Sequence, residues 1–274
     1  MEKLILREEE FKGIAAIVEA KSGIHLTNQK RNLVFNRLRP RLRSLQLERF
    51  SDYLRLIREQ PEELALALNL ITTNVTRFFR EEHHFRFLEE QVLPAVAPRG
   101  DIWRAWSAGC STGEEAYSLA ITCREGLDPK VRWRILATDI NTHVLSVAQN
   151  GIYPRDAVAH LPRALISEYF DIDGETAKVK ESLKKNIWFR YLNLIDPYLP
   201  LRSPLDVVFC RNVFIYFTRE TQRDVLKTFH RLLKVGGHLF LGHAESIPAD
   251  WQREQGWVHL EQGVYQKVEG KVSH

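Results

Sequence analysis

The chain has 274 residues, 44% of them apolar and 27% charged, with a formal net charge of +4. That is enough to bury a sizeable core in one or two domains, and it excludes a largely disordered chain. No apolar run approaches the roughly 20 residues of a membrane span, and the polar, acidic start reads as no secretory signal. Three cysteines (Cys110, Cys123, Cys210) lack paired or His-rich spacing, which points to reduced thiols in a cytoplasm rather than disulfides or structural zinc.

The first 90 residues read as helices. Phe11, Ile14, Ala15, Ile17 and Val18 recur at helical spacing and stop near Ser22-Gly23. A second helix is expected from Asn28 to about Leu45, with Pro40 inside it as a kink or break. A third runs over Ser51 to Glu59, and a fourth starts at Pro61, a residue suited to a first helical turn. This half is expected as an all-α domain over 1–80. A linker over 81–100 follows, marked by Pro94 and Pro98-Arg-Gly100.

From Asp101 the pattern alternates. Strands are expected at 102–107, 133–138, 206–210 and 238–242, and helices at 114–125, 141–149 and 218–234. Strands separated by helices predict an α/β domain over 101–274 with a doubly wound, mainly parallel sheet. The segments around Trp257 and Val264 read as a closing hairpin. Between the alternation units, about 165–190, lies a small antiparallel β insert with a turn at Asp173-Gly174. No internal repeat is found.

In a doubly wound sheet, ligands sit beyond the carboxyl ends of the strands. The first strand runs into Ser107-Ala-Gly-Cys-Ser-Thr-Gly-Glu-Glu115, a small-residue turn that opens a helix with two carboxylates. A dinucleotide site would rest a pyrophosphate on that helix start, and Glu114 and Glu115 would repel it. The cradle suits a cationic ligand without phosphates, such as S-adenosyl-L-methionine. The next strand ends at Asp139, whose carboxylate can accept both hydroxyls of a ribose, or else cap the following helix.

Six blocks then occur in order: Asn74-Val-Thr-Arg-Phe-Phe-Arg80, Ser107–Glu115, Ala137-Thr-Asp-Ile140, Leu192-Asn-Leu194, Cys210-Arg-Asn-Val-Phe-Ile-Tyr-Phe217 and Gly236-Gly-His-Leu-Phe-Leu-Gly-His-Ala-Glu-Ser246. Together they resemble the chemotaxis-receptor glutamate O-methyltransferases, the CheR family, over nearly the whole chain. The resemblance implies a sheet of the S-adenosylmethionine-dependent methyltransferase type. It also implies methylation of glutamates on the cytoplasmic helical region of chemoreceptors, with S-adenosyl-L-homocysteine as product. By the same resemblance the cofactor is held by Asn74, Thr76, Arg80, Glu114 (Glu115 being the less favoured of the pair), Asp139, Asn193, Leu194, Arg211 and Asn212. Arg211, Asn212 and Tyr216 would border the methyl group and the acceptor, with Arg211 and Tyr216 as candidates for orienting the acceptor and Arg80 as the alternative. A carboxylate acceptor is already ionised near neutral pH, so no His or Cys apparatus is required.

Arg31, Arg37, Arg39, Arg41, Arg43 and Arg49 form a basic belt. Lys30, Arg37 and Arg41 are expected roughly on one side of a helix, with Arg31 nearby, and Arg31, Arg37 and Arg41 are expected to bind substrate as a ridge that steers an acidic receptor helix. The belt also allows a nucleic-acid methyltransferase. No Asn/Asp-Pro-Pro-aromatic motif and no interleaved aromatics support that alternative. A non-catalytic signalling module is the third reading, opposed by an intact cofactor site. No metal is expected: adjacent His83 and His84 point in different directions on a helix, and no further ligand is suitably spaced. A monomer without membrane insertion is expected. The resemblance implies that some family members grip a receptor-tail pentapeptide with such an insert through a longer, more glycine-rich turn, and the shorter turn here predicts no strong grip.

Overall fold

A computed structural model describes residues 4–98, 101–201 and 204–269. The N-terminal helices are α1 (Glu8–Ser22), α2 (Arg31–Ser44), α3 (Phe50–Glu59) and α4 (Pro61–Ile71). Their apolar stripes, among them Phe11, Ile14, Val34, Leu38, Phe50, Tyr53 and Ala67, close one core. α1 ends where the N–H of Gly23 reaches the Glu19 carbonyl at 2.8 Å. α2 follows a 3₁₀ turn (Asn28–Lys30) and runs unbroken through Pro40. The missing proline N–H affects the carbonyl four residues back, on exposed Asn36, where water can replace it.

The belt is largely tied down. Arg31 donates to the Leu6 carbonyl, and Arg37 to the Leu70 and Thr72 carbonyls at the end of α4, where a cation also suits the helix dipole. Arg41 makes a two-pronged pair with buried Glu63, at 3.0 and 2.6 Å, and the Tyr53 hydroxyl donates to the same carboxylate. The ridge expected to face a substrate therefore spends Arg31, Arg37 and Arg41 on holding helices together.

The segment expected as a linker is folded instead. It forms α5 (Glu82–Phe87), a π turn (Leu88–Val92) and a 3₁₀ turn (Leu93–Ala95). Phe85, Leu88, Val92 and Leu93 are buried in the same core as the sheet. Apolar side chains on one face of this segment outweigh its charged half. Residues 99–100 of it lie outside the described residues.

The second domain is built on β1 (Trp103–Ala108), α6 (Glu114–Gly126), β2 (Trp133–Asp139) and α7 (Thr142–Asn150). Next come β3 (Ile152–Pro154), α8 (Arg163–Tyr169), β4 (Phe170–Asp173), β5 (Thr176–Val179), α9 (Glu181–Lys184) and β6 (Ile187–Tyr191). The chain closes with β7 (Leu205–Cys210), α10 (Arg219–Leu232), β8 (Leu233–Leu241), α11 (Ala249–Gln255), β9 (Trp257–Glu261) and β10 (Val264–Lys267). The main sheet has the order β6-β2-β1-β7-β8-β10-β9. Its first five strands are parallel, and β10 pairs antiparallel with both its neighbours, β8 and β9. The order reverses between β1 and β7, so a crevice opens at their carboxyl ends.

β3, β5 and β4 form the small antiparallel sheet. The insert thus begins earlier than the expected 165, at Ile152. The stretch 187–190 leaves it: β6 pairs parallel with β2, Ile135 opposite Ile187, because Ile187 and Phe189 find the main core.

Replacing Arg41 with Ala would strand the buried Glu63 carboxylate. We expect a loss of about 2 kcal/mol in stability, read as a lower urea midpoint. Arg41 holds the Glu63 carboxyl below its ordinary range. The pair's contribution is therefore present at neutral pH and fades as pH falls through that lowered value. An unchanged midpoint at pH 7 would refute the role.

Candidate active site

The crevice is a cleft of about 1170 Å³, part of it open to solvent, lined from both domains. The N-terminal domain contributes Ile24, His25, Lys30 and Leu33, and the segment after α4 contributes Asn74, Thr76 and Arg80. The turn after β1 brings Gly109, Cys110 and Ser111. Asp139 stands at the tip of β2, Asn193 and Leu194 follow β6, and Arg211, Asn212 and Tyr216 follow β7. Every expected cofactor and catalytic residue except Glu114 reaches this wall.

Asp139 is almost fully buried. Its Oδ2 accepts the Ser111 N–H at 2.8 Å and its Oδ1 the Asn141 N–H at 2.9 Å. Burial raises its pKa, and the backbone donors offset part of that rise. Two N–H groups leave lone pairs on a carboxylate that can accept further donors. Gly109 sits at φ 87°, where a side chain would meet Val213 Cγ2 at 2.6 Å, so this stretch of wall stays bare backbone.

The two glutamates of α6 exchange the expected order. Glu115 lines the cleft because Ser107 Oγ and Arg211 Nε draw its two oxygens over the end of β1, at 2.7 and 2.8 Å. Glu114 turns back to the Thr112 hydroxyl at 2.6 Å, and burial raises its pKa.

Arg211 is the buried cation of the site. Besides Glu115, it donates through Nη1 to the Arg80 carbonyl (2.5 Å) and to His84 Nδ1 (3.2 Å), with Glu81 Oε2 at 3.8 Å. Its guanidinium lies over the rings of Phe85 and Phe209. An arginine can only donate, so His84 Nδ1 must be the acceptor. Nε2 then carries the proton to the Gln262 carbonyl at 3.0 Å. Burial, and after it the Arg211 charge, push the His84 pKa down to about 4.

Glu81 gathers the surroundings. It accepts the His243 backbone N–H, His243 Nδ1 and Asn212 Nδ2 at 3.1, 3.0 and 3.3 Å. Burial would raise its pKa, but His243, Arg211 and Asn212 outweigh burial and hold it below the ordinary range. Glu245 takes three backbone N–H groups, from Gly242, Asn212 and Ile215. Arg80 donates to the Val75 carbonyl at 2.8 Å. Asn193 donates to the Lys21 carbonyl at 2.8 Å, tying the wall to α1. The Tyr216 hydroxyl has no partner among the described residues.

Sequence reasoning missed Glu81, His84 and Glu245. His84 carried a signal only in the form discarded above as a metal pair. Glu245 stood inside a quoted block, beside His243, with nothing in its spacing to show that it binds backbone. Chemically, the wall offers carboxylate acceptors at Asp139 and Glu115 and no phosphate cradle. It suits a hydroxyl-bearing, positively charged ligand.

Comparison with known proteins identifies the family of the chain. Residues 74–262 match the model of the CheR methyltransferase SAM-binding domain, and residues 9–72 the CheR methyltransferase all-alpha domain. The chemotaxis protein methyltransferase of Escherichia coli is 39% identical over 254 residues, covering 90% of this chain and 87% of that protein. That of Salmonella typhimurium is 39% identical over 255 residues, covering 90% and 86%. The chemotaxis protein methyltransferase 2 of Pseudomonas aeruginosa is 38% identical over 246 residues, covering 87% of each.

His84 yields a pH test. Its folded pKa of about 4 lies below the ordinary 6.5, so the unfolded chain binds the extra proton and stability falls as pH drops from 6.5 toward 4. His238, also pushed down to about 4 by burial, adds to the same slope. His230, lowered by burial and the Lys267 charge, contributes in the same direction, so His84→Gln should remove a part of the histidine-driven loss between pH 7 and 4.5 while His238 and His230 keep the rest. Urea midpoints at the two pH values measure it. Identical losses in variant and wild type would overturn the assignment of a neutral His84.

Proposed function

This chain belongs to the CheR methyltransferase family, and on that premise we propose that it methylates glutamate side chains on the cytoplasmic helical region of chemotaxis receptors, leaving glutamyl methyl esters. The observation that carries this reading is one cleft, at the switch point of the sheet. It sets the Asp139 and Glu115 carboxylates on one wall and Arg80, Arg211 and Tyr216 around them. The donor set fits S-adenosyl-L-methionine. Asp139 has acceptor capacity left for a ribose, Glu115 offers a carboxylate to an ammonium, and bare Gly109 allows close approach. We assign Glu115, rather than Glu114, to that ammonium. Asn74, Thr76, Asn193 and Leu194 complete the pocket, and S-adenosyl-L-homocysteine leaves from it.

When bound, the cofactor supplies an electrophilic methyl group on a sulfonium. The acceptor glutamate is ionised near neutral pH, so the chain need not remove a proton. What its residues supply is alignment and exclusion of water, worth roughly 7–11 kcal/mol of barrier in well-oriented reactions. Tyr216 brings to the wall a hydroxyl without a partner among the described residues and donates it to the acceptor carboxylate, orienting it without neutralising it. Arg211, with Nε and Nη1 already engaged, holds Glu115 and the Arg80 backbone in place rather than gripping the acceptor itself. Internal use of Arg31, Arg37 and Arg41 counts against a phosphate-binding ridge and hence against a nucleic-acid substrate. The tight Gly174-Glu175 turn between β4 and β5 supports an insert that does not grip a receptor tail. Among the described residues no helix is long and apolar enough to cross a membrane, and we place the enzyme in the cytoplasm as a monomer.

Receptor-bearing membranes incubated with enzyme and methyl-labelled cofactor should acquire label that alkali releases as methanol. Base-stable label would refute the carboxylate acceptor. Asp139→Ala should weaken S-adenosyl-L-homocysteine binding by calorimetry, since each lost charge-assisted hydrogen bond is worth about 1.5–3 kcal/mol. Equal affinity in a folded variant would end the ribose assignment. Tyr216→Phe should slow turnover about tenfold or more with little change in cofactor affinity. An unchanged kcat would remove Tyr216 from the acceptor side.

A further inference from the structure

We infer that Glu245 is a positioning residue for the methyl-transfer step: its carboxylate and the bare backbone of Gly242 lock the segment after β7 in the conformation that presents Asn212 and Tyr216 to the cleft. The inference rests on the reading of the cleft as the methyl-transfer site.

Glu245 is buried and makes no ion pair among the described residues. Its partners are backbone. Oε2 accepts the Asn212 and Gly242 N–H groups at 2.8 and 2.7 Å, and Oε1 accepts the Ile215 N–H at 3.2 Å. Its own N–H returns to the Gly242 carbonyl at 2.8 Å. One side chain thus binds the loops that leave the adjacent carboxyl ends of β7 and β8. Only a carboxylate offers acceptors on both oxygens; an amide must turn a donor toward one of these donors.

One of the residues it grips is strained. Asn212 has φ 60°, left-handed for a non-glycine residue, and such a conformation persists only where its surroundings over-determine it. Here they do. Glu245 holds its backbone N–H and Glu81 its side-chain amide. Gly242 leaves the space: a Cβ there would lie 2.6 Å from Asn212 Nδ2 and 2.9 Å from both Asn212 N and Glu245 Oε2. Farther along, the Tyr216 carbonyl accepts the His25 N–H at 2.7 Å. The segment is pinned at its start, middle and end, and what remains free is the Tyr216 hydroxyl.

Two variants test this. Glu245→Gln keeps the volume and sets a donor against a donor, while Gly242→Ala pushes on Asn212 from the other side with the carboxylate intact. In each, the Asn212, Ile215 and Gly242 amides should lose hydrogen-exchange protection. In the same variants kcat should fall by about tenfold to a hundredfold, with receptor KM within about threefold of wild type and any loss of S-adenosyl-L-homocysteine affinity through Asn212 clearly smaller than the loss of kcat. Unchanged exchange overturns the inference. So does lost protection at unchanged kcat, and so does a parallel loss of Kd, KM and kcat, which a merely structural role would give. Failure of the functional reading looks different: wild-type protein would bind S-adenosyl-L-homocysteine and methylate no receptor, while the exchange data would still report whether Glu245 pins the segment.

Discussion

A guanidinium buried at the carboxyl end of a parallel sheet must find compensation for its lost hydration, and the architecture around the cleft follows from how Arg211 finds it. Glu115 supplies the closest negative charge at 2.8 Å, which fixes the first turn of α6 against the tip of β7. The Arg80 carbonyl supplies a second acceptor, which brings the chain after α4 across the site. His84 supplies a third and is thereby bound to the neutral form and to one tautomer. The aromatic faces of Phe85 and Phe209 cover what remains. Loss of any one partner would leave a buried charge under-compensated, so these elements are held in one mutual arrangement.

That arrangement has a backbone cost, and the cost is localised. Four of the five described non-glycine residues at positive φ line the cleft or flank Arg80: Phe79, Glu81, Ser111 and Asn212. Each sits where a hydrogen bond needs it. The Phe79 N–H reaches the Ser118 hydroxyl, Ser111 N–H reaches Asp139, and Glu81 and Asn212 meet each other through carboxylate and amide. Strain of order 1–3 kcal/mol per residue is tolerable only inside a network that over-determines the geometry. The stability of the core supplies it.

Much of this was legible in the chain. The parallel strands announced themselves as short apolar runs ending near Ser107, Asp139 and Cys210, because strands buried on both faces leave little room for polar residues. The cleft's place and Asp139 followed from those endings, whereas Asn74, Thr76, Arg80, Asn193, Leu194, Arg211, Asn212 and Tyr216 came from the family resemblance; all of these line the cleft and Glu114 does not. Choosing between Glu114 and Glu115 needs the partners Ser107 and Arg211, and Arg211 is brought there by a strand about a hundred residues away in sequence. Segment 81–98 misled because its helix breaks into π and 3₁₀ turns within a few residues, which erases a 3.6-residue period. β6 misled because exposed Trp188 and Arg190 alternate with buried neighbours as in a hairpin, while its actual partner is the distant β2. The arginine belt misled for a simpler reason. Spacing shows which face of α2 a cation occupies, and does not show that Glu63 and the end of α4 lie against it.

The cleft belongs to neither domain alone. Ser111 Oγ donates to the Asn74 carbonyl, Asn141 Nδ2 to Asn69 and Thr72, Asn69 to the Thr142 hydroxyl, and Asn193 to Lys21. Ile24 and Phe217 add a β-bridge. These bonds are mostly neutral and side-chain mediated, each worth about 1 kcal/mol net, so they position the helical domain without fusing it to the sheet. A ligand that touches both walls then stabilises the domain contact together with each domain, in proportion to RT ln(1 + [L]/Kd). Domain association, the strained loops and the buried Arg211 cluster are thus coupled to the same occupancy. The helical domain is part of the site's machinery and not only a platform beside it.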